Sequence, residues 1–478
     1  MEKIREIYNK VSVTVYLAYL FFLNIVLVLY VNNAYFDIME AKANLFVKIV
    51  RFLFPFVIAV LGIGLYLKRK EIKLSLLYLS LLTLLGTSFI STICSFSRID
   101  AFTGMQGWYV GFCAISFLIF SILSFKDIKP IKQYWYIPLL LVFFFEYVLI
   151  FTDGMDLDLL GYKEELVLTS HFLYFGTLGN SNWIVGFLSL TVPMFICLYL
   201  SEERRIYRLF YLLVSIFGVI ASIINGADGV YFSFTSAFIV LIPVVLNNLV
   251  CLKRFSVLLI VVSCFLIAMG YDYHFVFFLE FFNSIGRFLF EPKYTVIILI
   301  LSIILFGISI SFKEKKYQKY RKRIVLYTYI LLFILLIGTV VFVFKSQNNI
   351  GSYRFELWNY SIKAFEKYPF IKKLIGYGPE LVRNFYAAFS ARYGVIYNTS
   401  HSEPVQMLMT MGILGLISWV FCWISVFFVC YQKREIRIIQ CLFAGLLAYF
   451  FQSFLNSATL PNVCLLATYV ILLNQYQK

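Results

Sequence analysis

Apolar runs of about 20 residues recur from one end of this chain to the other, and they constrain its fold more than any other feature. A helix of about 20 residues crosses the roughly 30 Å hydrocarbon layer of a bilayer. Because no water is present there to bond the backbone, such runs must be helical. Hydrophobic residues make up 62% of the 478 residues and charged residues only 14%, whereas soluble domains are about one quarter charged. The sequence therefore predicts an all-α, polytopic integral membrane protein.

The predicted spans number roughly twelve to fourteen. The weak run His274–Phe290 could instead be interfacial or re-entrant. No stretch between the spans is long enough to fold alone, so we expect residues 1–478 to form a single integral membrane domain. The predicted spans lie near 11–31, 45–67, 74–94, 105–125, 134–152, 182–200, 207–225, 229–250, 255–273, 293–312, 324–344, 412–431, 436–455 and 459–474.

The net charge of +16 is distributed in the way that orients a membrane protein. Basic residues concentrate in alternate short connectors, such as 68–70, 204–208 and 313–323, while the connectors between them are poor in basic residues or acidic. This is the positive-inside pattern. It argues against a nucleic-acid partner, indicates contact with membrane lipids, and predicts both termini inside. The same topology places the three histidines, His171, His274 and His401, on the outer side.

Two predicted outer connectors are too long to be turns. They run from 153 to 181 and from 345 to 411, and the second is the longest stretch outside the spans. Long loops on a rigid scaffold are the usual place for function. Within the second loop we expect an amphipathic helix at 353–368, because apolar residues recur there at three- and four-residue spacing. Pro369 should end that helix, and a second short helix should follow at 380–393.

His401 is the leading candidate for chemistry, because histidine titrates near neutral pH. It precedes a helix start in which Ser402 is a candidate N-cap and Pro404 falls in the first turn. A helix N-terminus favours an anion such as phosphate. The same loop carries arginines, which suit bidentate phosphate recognition. These arginines are Arg354, Arg383 and Arg392.

Each of these residues also has a simpler interpretation. His401 could be polar surface, and Arg354 could contact a lipid headgroup. Asn180 and Asn182 could be helix caps for the span that follows them. The nine cysteines are scattered and none forms a CxxC pair, so they indicate neither a disulfide framework nor a metal site. No metal and no cofactor is predicted.

Taken in order, the polar segments resemble the shared core of the O-antigen ligase and O-antigen polymerase superfamily. That core has the form R-x-x-x-W, P, G-x-G, H-N-x-x-L-Q and G-I-x-G-L. The matching residues here are Arg354, Trp358, Pro369, Gly376-Tyr377-Gly378, His401 with Gln406, and Gly412-Ile413-Leu414-Gly415. Upstream, Gly176–Trp183 is similar to the family's G-x-x-G-N-x-N segment and supplies Asn180 and Asn182.

The chain departs from the family pattern at three places. Ser402 replaces the usual asparagine after the histidine, and Thr410 stands where a glutamate is common. The segment 225–229 reads Asn-Gly-Ala-Asp-Gly, where the family often has Ser-Arg-Gly with an arginine thought to hold phosphate. Arg98, Arg383 or Arg392 could substitute for that arginine. Asp228 could have a catalytic role or be a turn residue between two glycines.

The resemblance implies glycosyl transfer at the outer face of a bacterial cytoplasmic (inner) membrane, with residues 345–411 as the catalytic loop. The donor would be a glycan on undecaprenyl diphosphate, and the acceptor a sugar hydroxyl. His401 would be the catalytic base. Substrate would be bound by Arg354, Arg383, Arg392, Asn180, Asn182, Trp358, Tyr377 and Gln406. With one base and no evident carboxylate nucleophile, we expect a single displacement with inversion.

Three activities remain open at this point. A polymerase joins one lipid-linked repeat to another, working with a flippase and a chain-length regulator, whereas a ligase moves the finished glycan to a lipid, protein or cell-wall acceptor. The abundance of Phe, Tyr, Ile and Lys hints at an AT-rich genome. A Gram-positive host would have no lipopolysaccharide core to ligate, which favours a polymerase of capsular or other surface polysaccharide. A polysaccharide transporter is the third activity, and it would use intramembrane charges such as Glu146.

Overall fold

The computed structural model describes residues 2–31, 38–67, 74–105, 110–126, 128, 133–155, 157–161, 174–270, 291–345, 354–393 and 397–476. His171, His274, the weak run 274–290 and the segment 346–353 of the long loop 345–411 lie outside the described residues. Within these ranges the protein is almost entirely helical, with a single two-stranded β-hairpin. The prediction of an all-α membrane fold is confirmed.

The first half of the chain contains eleven described helices and the hairpin. A π-helical turn at Phe22–Val26 joins the first two helices, and a 3₁₀ turn at Gln133–Tyr136 precedes the seventh. The helices are α1 (Glu2–Phe21), α2 (Leu27–Leu29), α3 (Ile38–Leu67), α4 (Leu76–Ile93), α5 (Arg98–Thr103), α6 (Phe112–Phe125), α7 (Ile137–Gly154), α8 (Ser181–Ser201), α9 (Arg205–Asn225), α10 (Asp228–Val245) and α11 (Leu249–Gly270), and the strands are β1 (Tyr174–Phe175) and β2 (Gly179–Asn180).

The second half contains two further long helices, three short helices in the loop 345–411 and three terminal helices. They are α12 (Pro292–Ser311), α13 (Glu314–Lys345), α14 (Arg354–Glu366), α15 (Phe370–Ile375), α16 (Arg383–Tyr393), α17 (Glu403–Gln432), α18 (Arg437–Gln452) and α19 (Leu460–Gln475).

Nine of the described helices are long and apolar enough to cross a membrane, and four shorter apolar helices accompany them. The shorter ones are α6, α10, α18 and α19. Every predicted span overlaps a helix of the structure. The helix in the span expected at 105–125 begins only at Phe112, after its N-cap Gly111. Before it lies the unpredicted helix α5, which ends at Gly104, where φ is 88°.

Helix α8 lies at the centre of the bundle, with 94% of its most apolar stretch buried. It packs closely against α18, because a side chain at Gly445 would meet the backbone carbonyl of Leu190 at 2.0 Å. Small residues allow such backbone approach between membrane helices. By contrast, only 17% of the corresponding stretch of α12 is buried against the described residues, so most of its apolar side chains are exposed. Because α8 is central, the hairpin before it and Asn180 and Asn182 at its start have a fixed position in the bundle.

The described part of the long loop 345–411 folds around its own small apolar core. This loop core consists of Leu357, Tyr368, Val382, Tyr386, Phe389, Tyr397 and Met409. The helix predicted at 353–368 is observed as α14, and the helix predicted at 380–393 begins later, at Arg383. Pro369 ends the first helix as expected, but it also precedes the unpredicted helix α15.

The loop core is attached to the membrane helices at a break in α17. Gly412 has φ 68° and ψ −165°, a conformation that only glycine adopts readily. Around this break, the backbone N–H groups of Tyr377 and Gly378 both donate to the carbonyl of Thr410 at 2.9 Å. The backbones are so close that a side chain on Gly376 would lie 2.1 Å from that same oxygen. The G-x-G and G-I-x-G segments of the sequence therefore form one backbone junction.

Candidate functional site

Arg354 connects three distant segments of the chain. It is the first residue of α14 and only 8% exposed. Its Nη2 donates to Asn182 Oδ1 at 2.7 Å and to Asn456 Oδ1 at 3.3 Å. The three residues come from the long loop 345–411, the start of α8 and the connection between α18 and α19. Arg354 is therefore a buried member of a polar network and not a headgroup contact on an interfacial helix.

The two asparagines at the start of α8 have different functions in the structure. Asn180 is the N-cap of α8, and its side chain accepts a hydrogen bond of 2.9 Å from the backbone N–H of Asn182. The cap interpretation is thus correct for Asn180. Asn182 lies inside the helix and turns its carboxamide oxygen to Arg354. Capping by Asn180 fixes the first turn of α8 and so fixes the position of the Arg354 acceptor.

Buried acids hold the hairpin that leads into α8. The strands pair Tyr174 with Asn180 and Phe175 with Gly179. Asp153 accepts from the backbone N–H of Gly176 at 2.5 Å. Glu146, which is fully buried, accepts from both the backbone N–H and the hydroxyl of Thr177. Glu146, the candidate for a transport pathway, therefore anchors the hairpin.

The loop carrying His401 is held by the side chains of Trp358 and Gln406, both acting on Ser400. Trp358 Nε1 donates to the carbonyl of Ser400 at 3.0 Å, and the N–H of Ser400 donates to Gln406 Oε1 at 3.1 Å. The Ser400 hydroxyl is bonded to the Tyr386 hydroxyl of the loop core at 2.7 Å. Trp358 and Gln406 thus position the backbone directly before His401.

His401 has a strained backbone. Its φ is 47°, in the left-handed region, which is uncommon for a residue with a side chain. Such strain persists only where the surroundings over-determine it, and it clusters at functional sites. The imidazole packs edge-on against the Tyr397 ring, with 6.0 Å between ring centroids. The strain and the bonds to Ser400 together fix where the imidazole lies.

Burial and the nearby charge of Arg354 lower the pKa of His401 from 6.5 to about 4. Both causes oppose a second positive charge in this place. His401 is therefore neutral at physiological pH and has a free lone pair on its ring. A neutral imidazole beside a fixed guanidinium can accept a proton while the arginine holds an anion.

The start of α17 differs from the expectation in two ways. Ser402 occupies the N-cap position but its side chain makes no capping hydrogen bond. The N–H of Glu403 donates to the carbonyl of Ser453 at 2.7 Å, so this helix-terminal donor is not open to a phosphate. The buried Glu403 carboxylate accepts from Tyr449 at 2.7 Å and from Trp419 at 3.2 Å. The open helix-terminal anion site expected from the sequence is thus partly closed, and anion binding by Arg354 remains a prediction.

Three other predicted binding residues lie apart from this network. The Tyr377 ring packs against the rings of Phe96, Tyr368 and Phe385. The side chains of Arg383 and Arg392 are exposed at the two ends of α16. A binding role for these three residues remains a prediction. Arg98, a suggested substitute for the missing family arginine, is also exposed, at the start of α5.

Sequence reasoning missed Asn456. It is 2% exposed, it accepts from Arg354, and it donates through Nδ2 to Gln452 Oε1 at 3.2 Å. The same short connection supplies Ser453, which holds the start of α17. The polar residues within 452–459, between two apolar helices, could have indicated this position from the sequence. Buried polar groups in membrane proteins usually have a function.

The segment 225–229 contributes glycines to this packing. Gly226 is the left-handed C-cap of α9, at φ 65°. Gly229 lies so close to Asn456 that a side chain there would meet its Nδ2 at 2.8 Å. Asp228 begins α10, and its side chain lies outside the described residues. The catalytic alternative for Asp228 stays untested.

An apolar cavity of about 210 Å³ adjoins the network. Its polar lining consists of Glu380, Glu403, Gln406 and Thr410, and the rest is mainly leucine, isoleucine, valine, methionine and tryptophan. Burial raises the pKa of Glu380 to about 7, although its carboxylate accepts from the N–H groups of Met105 and Val110. We call this space the site cavity. It extends from Gln406, beside the His401 loop, between the membrane helices α4, α6, α17 and α19.

The fold and this network define a multi-pass membrane protein with a buried arginine and a neutral histidine on one structured loop. A family model described as O-Antigen ligase matches residues 287–420, which include Arg354, Trp358, His401 and Gln406. This segment is therefore similar to the O-antigen ligase domain, and the match supports glycosyl transfer of the O-antigen ligase and polymerase type at the level of the family. None of the curated proteins matches the chain.

Proposed function

We propose that this protein transfers a glycan from undecaprenyl diphosphate to a sugar hydroxyl, with His401 as general base and Arg354 as the diphosphate ligand. The observation that carries the proposal is the pairing of these two side chains. A half-buried neutral imidazole and a buried guanidinium supply the two functions that the reaction needs. They belong to the segment that matches the O-Antigen ligase family model.

The reaction is a single displacement in this proposal. The acceptor hydroxyl oxygen forms a bond to the anomeric carbon of the donor, and the bond from that carbon to the diphosphate oxygen breaks. His401 takes the hydroxyl proton as the nucleophile attacks. The leaving diphosphate carries away the bonding electrons, and Arg354 stabilises its negative charge. Attack opposite the leaving group inverts the anomeric configuration.

The environment of Arg354 suits a ligand for a transient anion. Asn182 and Asn456 hold its guanidinium in place through one nitrogen, Nη2. Its planar fork of N–H donors is therefore held in a fixed orientation, as a preorganised ligand for an oxyanion requires. Preorganised charge costs no rearrangement when the leaving group departs.

The site cavity supports a lipid-linked donor. Its lining is overwhelmingly apolar, and its polar residues include Gln406, which also bonds to the loop before His401. In the proposed complex, the isoprenoid chain occupies this space while the diphosphate lies at Arg354. Burial of a hydrocarbon chain contributes about 0.8 kcal/mol for each CH₂ removed from water.

Within this chemistry we favour the polymerase, which joins lipid-linked repeat units of a surface polysaccharide. The proposed site faces outward from the bacterial cytoplasmic membrane, and a flippase and a chain-length regulator are the expected partners. A ligase would use the same donor site with a different acceptor. A transporter is less well supported, because the carboxylate of Glu146 is engaged in anchoring the hairpin.

The test uses a strain deleted for this gene and complemented with wild type, His401→Ala or Arg354→Ala. Lys363→Ala is the matched control, because Lys363 is an exposed basic residue on the same helix as Arg354. Glycan on undecaprenyl diphosphate is sized by gel and mass spectrometry at equal protein levels. Accumulated single repeats in both mutants support a polymerase, and accumulated long chains on the lipid carrier support a ligase. Full-length, correctly attached glycan in both mutants overturns the proposal.

A further inference from the structure

A group of arginines lies at the opposite end of the bundle from Arg354. Helix α8 has 21 residues and is therefore about 30 Å long. It starts beside Asn182 in the candidate site and ends at Glu202, its C-cap. Glu202 accepts from Arg204 Nε at 3.1 Å and from Arg437 Nη2 at 2.7 Å. This group belongs to the membrane face across from the catalytic loop.

The buried acid in this group is a fixed anchor for the two arginines. The Glu202 side chain is 2% exposed, whereas those of Arg204 and Arg437 are 54% and 39% exposed. Burial opposes ionisation of Glu202, but the hydrogen bonds from Arg204 and Arg437 outweigh it and lower its pKa to about 2. One carboxylate thus stays ionised and holds two guanidinium groups side by side at the surface.

Positive charge exceeds negative charge around this anchor. Arg254 of α11 donates to the carbonyl of Leu200 at 2.6 Å, and Arg208 donates to the carbonyl of Glu203 at 3.2 Å. The four arginines therefore gather around residues 200–203, where Glu202 and Glu203 are the acids. The excess suits an anionic ligand.

Beside the anchored arginines lies a second cavity, of about 410 Å³, which we call the arginine cavity. Arg204 and Arg437 contribute its basic lining, and Tyr136, Tyr211, Tyr469 and Tyr476 contribute rings. The remaining lining is mainly apolar and comes from α7, α8, α18 and α19. The cavity thus has arginines at one side, tyrosine rings, and an apolar interior. This arrangement matches a phospholipid, which has a charged headgroup joined to hydrocarbon chains.

We propose that the arginine cavity binds an anionic phospholipid of the membrane leaflet opposite the catalytic loop. The phosphate would accept from the exposed faces of Arg437 and Arg204, and part of an acyl chain would fill the apolar interior. Basic pockets between membrane helices on the cytoplasmic side bind acidic headgroups in this way. Because α8 and α18 connect this cavity to the candidate site, bound lipid would stabilise the helices that carry Asn182 and precede Asn456.

The test measures lipid retained by the purified full-length protein. Native mass spectrometry in detergent would compare added phosphatidylglycerol with phosphatidylcholine, and thermal unfolding would be followed with the same lipids and with inorganic phosphate. We expect phosphatidylglycerol to bind wild type on the order of tenfold more tightly than it binds Arg437→Gln, the difference expected for one charge-assisted hydrogen bond. Arg434→Gln is the matched control, since Arg434 is exposed nearby and is not among the cavity-lining residues.

A second variant keeps the test decisive if Arg437→Gln fails to fold. Leu472→Trp narrows the apolar part of the cavity and leaves both arginines unchanged. It should also weaken phosphatidylglycerol binding. Equal retention of both lipids by all variants would mean ordinary annular lipid and would overturn the proposal. Stabilisation by inorganic phosphate equal to that by phosphatidylglycerol would overturn the lipid assignment in favour of a free-anion site.

Discussion

Replacing Arg354 by glutamine should raise the pKa of His401. Two causes hold that pKa at about 4, burial first and the charge of Arg354 second. Glutamine removes the charge and keeps a polar side chain with N–H donors. The remaining burial still disfavours the imidazolium, so the pKa should settle between about 4 and 6.5.

The size of the effect follows from the total shift. Lowering the pKa from 6.5 to about 4 makes protonation of His401 in the folded protein about 3 kcal/mol less favourable, at 1.36 kcal/mol for each pKa unit. Arg354 supplies the smaller share of this amount. The unfolded chain therefore binds a proton that the folded chain refuses between pH 6.5 and 4. Folding stability should fall as pH falls through that window, by at most about 3 kcal/mol.

The small number of histidines makes the measurement practical. In a His171→Gln, His274→Gln background, His401 is the sole histidine of the 478 residues. Labelling with ¹³C-histidine and titrating the ring carbon shift by NMR would then report one group. Lys363→Gln serves as the matched control, because it removes an exposed positive charge from the same helix.

Two results would refute the reasoning. A wild-type pKa near 6.5 would mean that the imidazole is neither buried nor near Arg354. An unchanged pKa in Arg354→Gln, or an equal rise in Lys363→Gln, would mean that Arg354 does not act on His401. The same logic predicts that a bound diphosphate raises the pKa, so the acid limb of kcat should lie at higher pH than that of kcat/KM.

Three further predictions follow from the contacts. Asn182→Ala and Arg354→Gln should be non-additive in glycan transfer, with a coupling energy of roughly 1–3 kcal/mol in a double-mutant cycle; simple additivity would mean that their hydrogen bond has no part in the reaction. Gly412→Ala should destabilise the protein by more than about 1 kcal/mol in thermal unfolding, because φ is 68° and the new side chain would meet backbone at 2.5 Å. Gly307→Ala, which meets nothing within 4 Å, is its control, and equal stability of the two variants would contradict the junction. Trp358→Phe should lower kcat by about tenfold to a hundredfold through the misplaced His401 loop, and full activity would show that this hydrogen bond is dispensable.

Hydropathy predicted the membrane helices because each span is a local property of about 20 residues. It placed the ends less well, since these depend on single backbone positions. The span expected at 105–125 begins as a helix only after Gly111, the N-cap of α6, and hydrophobicity does not mark that position. Helix α15, with six residues, is too short for periodicity to reveal.

The candidate site could be predicted as two separate motifs but not as one network. The asparagine segment and the Arg354 segment are 172 positions apart, and nothing local states that they meet. The capping role of Asn180 was a local inference and is correct. The hydrogen bonds from Arg354 to Asn182 and Asn456 depend on how α8 and α18 pack. No short segment of the sequence predicts that packing.

The helix start at Ser402 shows how tertiary contacts change a local expectation. The sequence pattern correctly placed the N-cap position and Pro404 in the first turn. The expected open anion site is partly closed because the carbonyl of Ser453 accepts the Glu403 N–H. Ser453 lies in the connection between α18 and α19, so this hydrogen bond can be recognised only in the packed structure.

The most direct test of the central claim is glycan transfer by the purified protein in liposomes. Undecaprenyl-diphosphate-linked repeat units would be supplied, and product length and released undecaprenyl diphosphate would be measured for wild type and His401→Ala at equal amounts of folded protein. With His401 as general base, we expect the variant to be slower by about 10²–10⁴-fold, with unchanged binding of the donor. Transfer by His401→Ala at the wild-type rate would contradict the account.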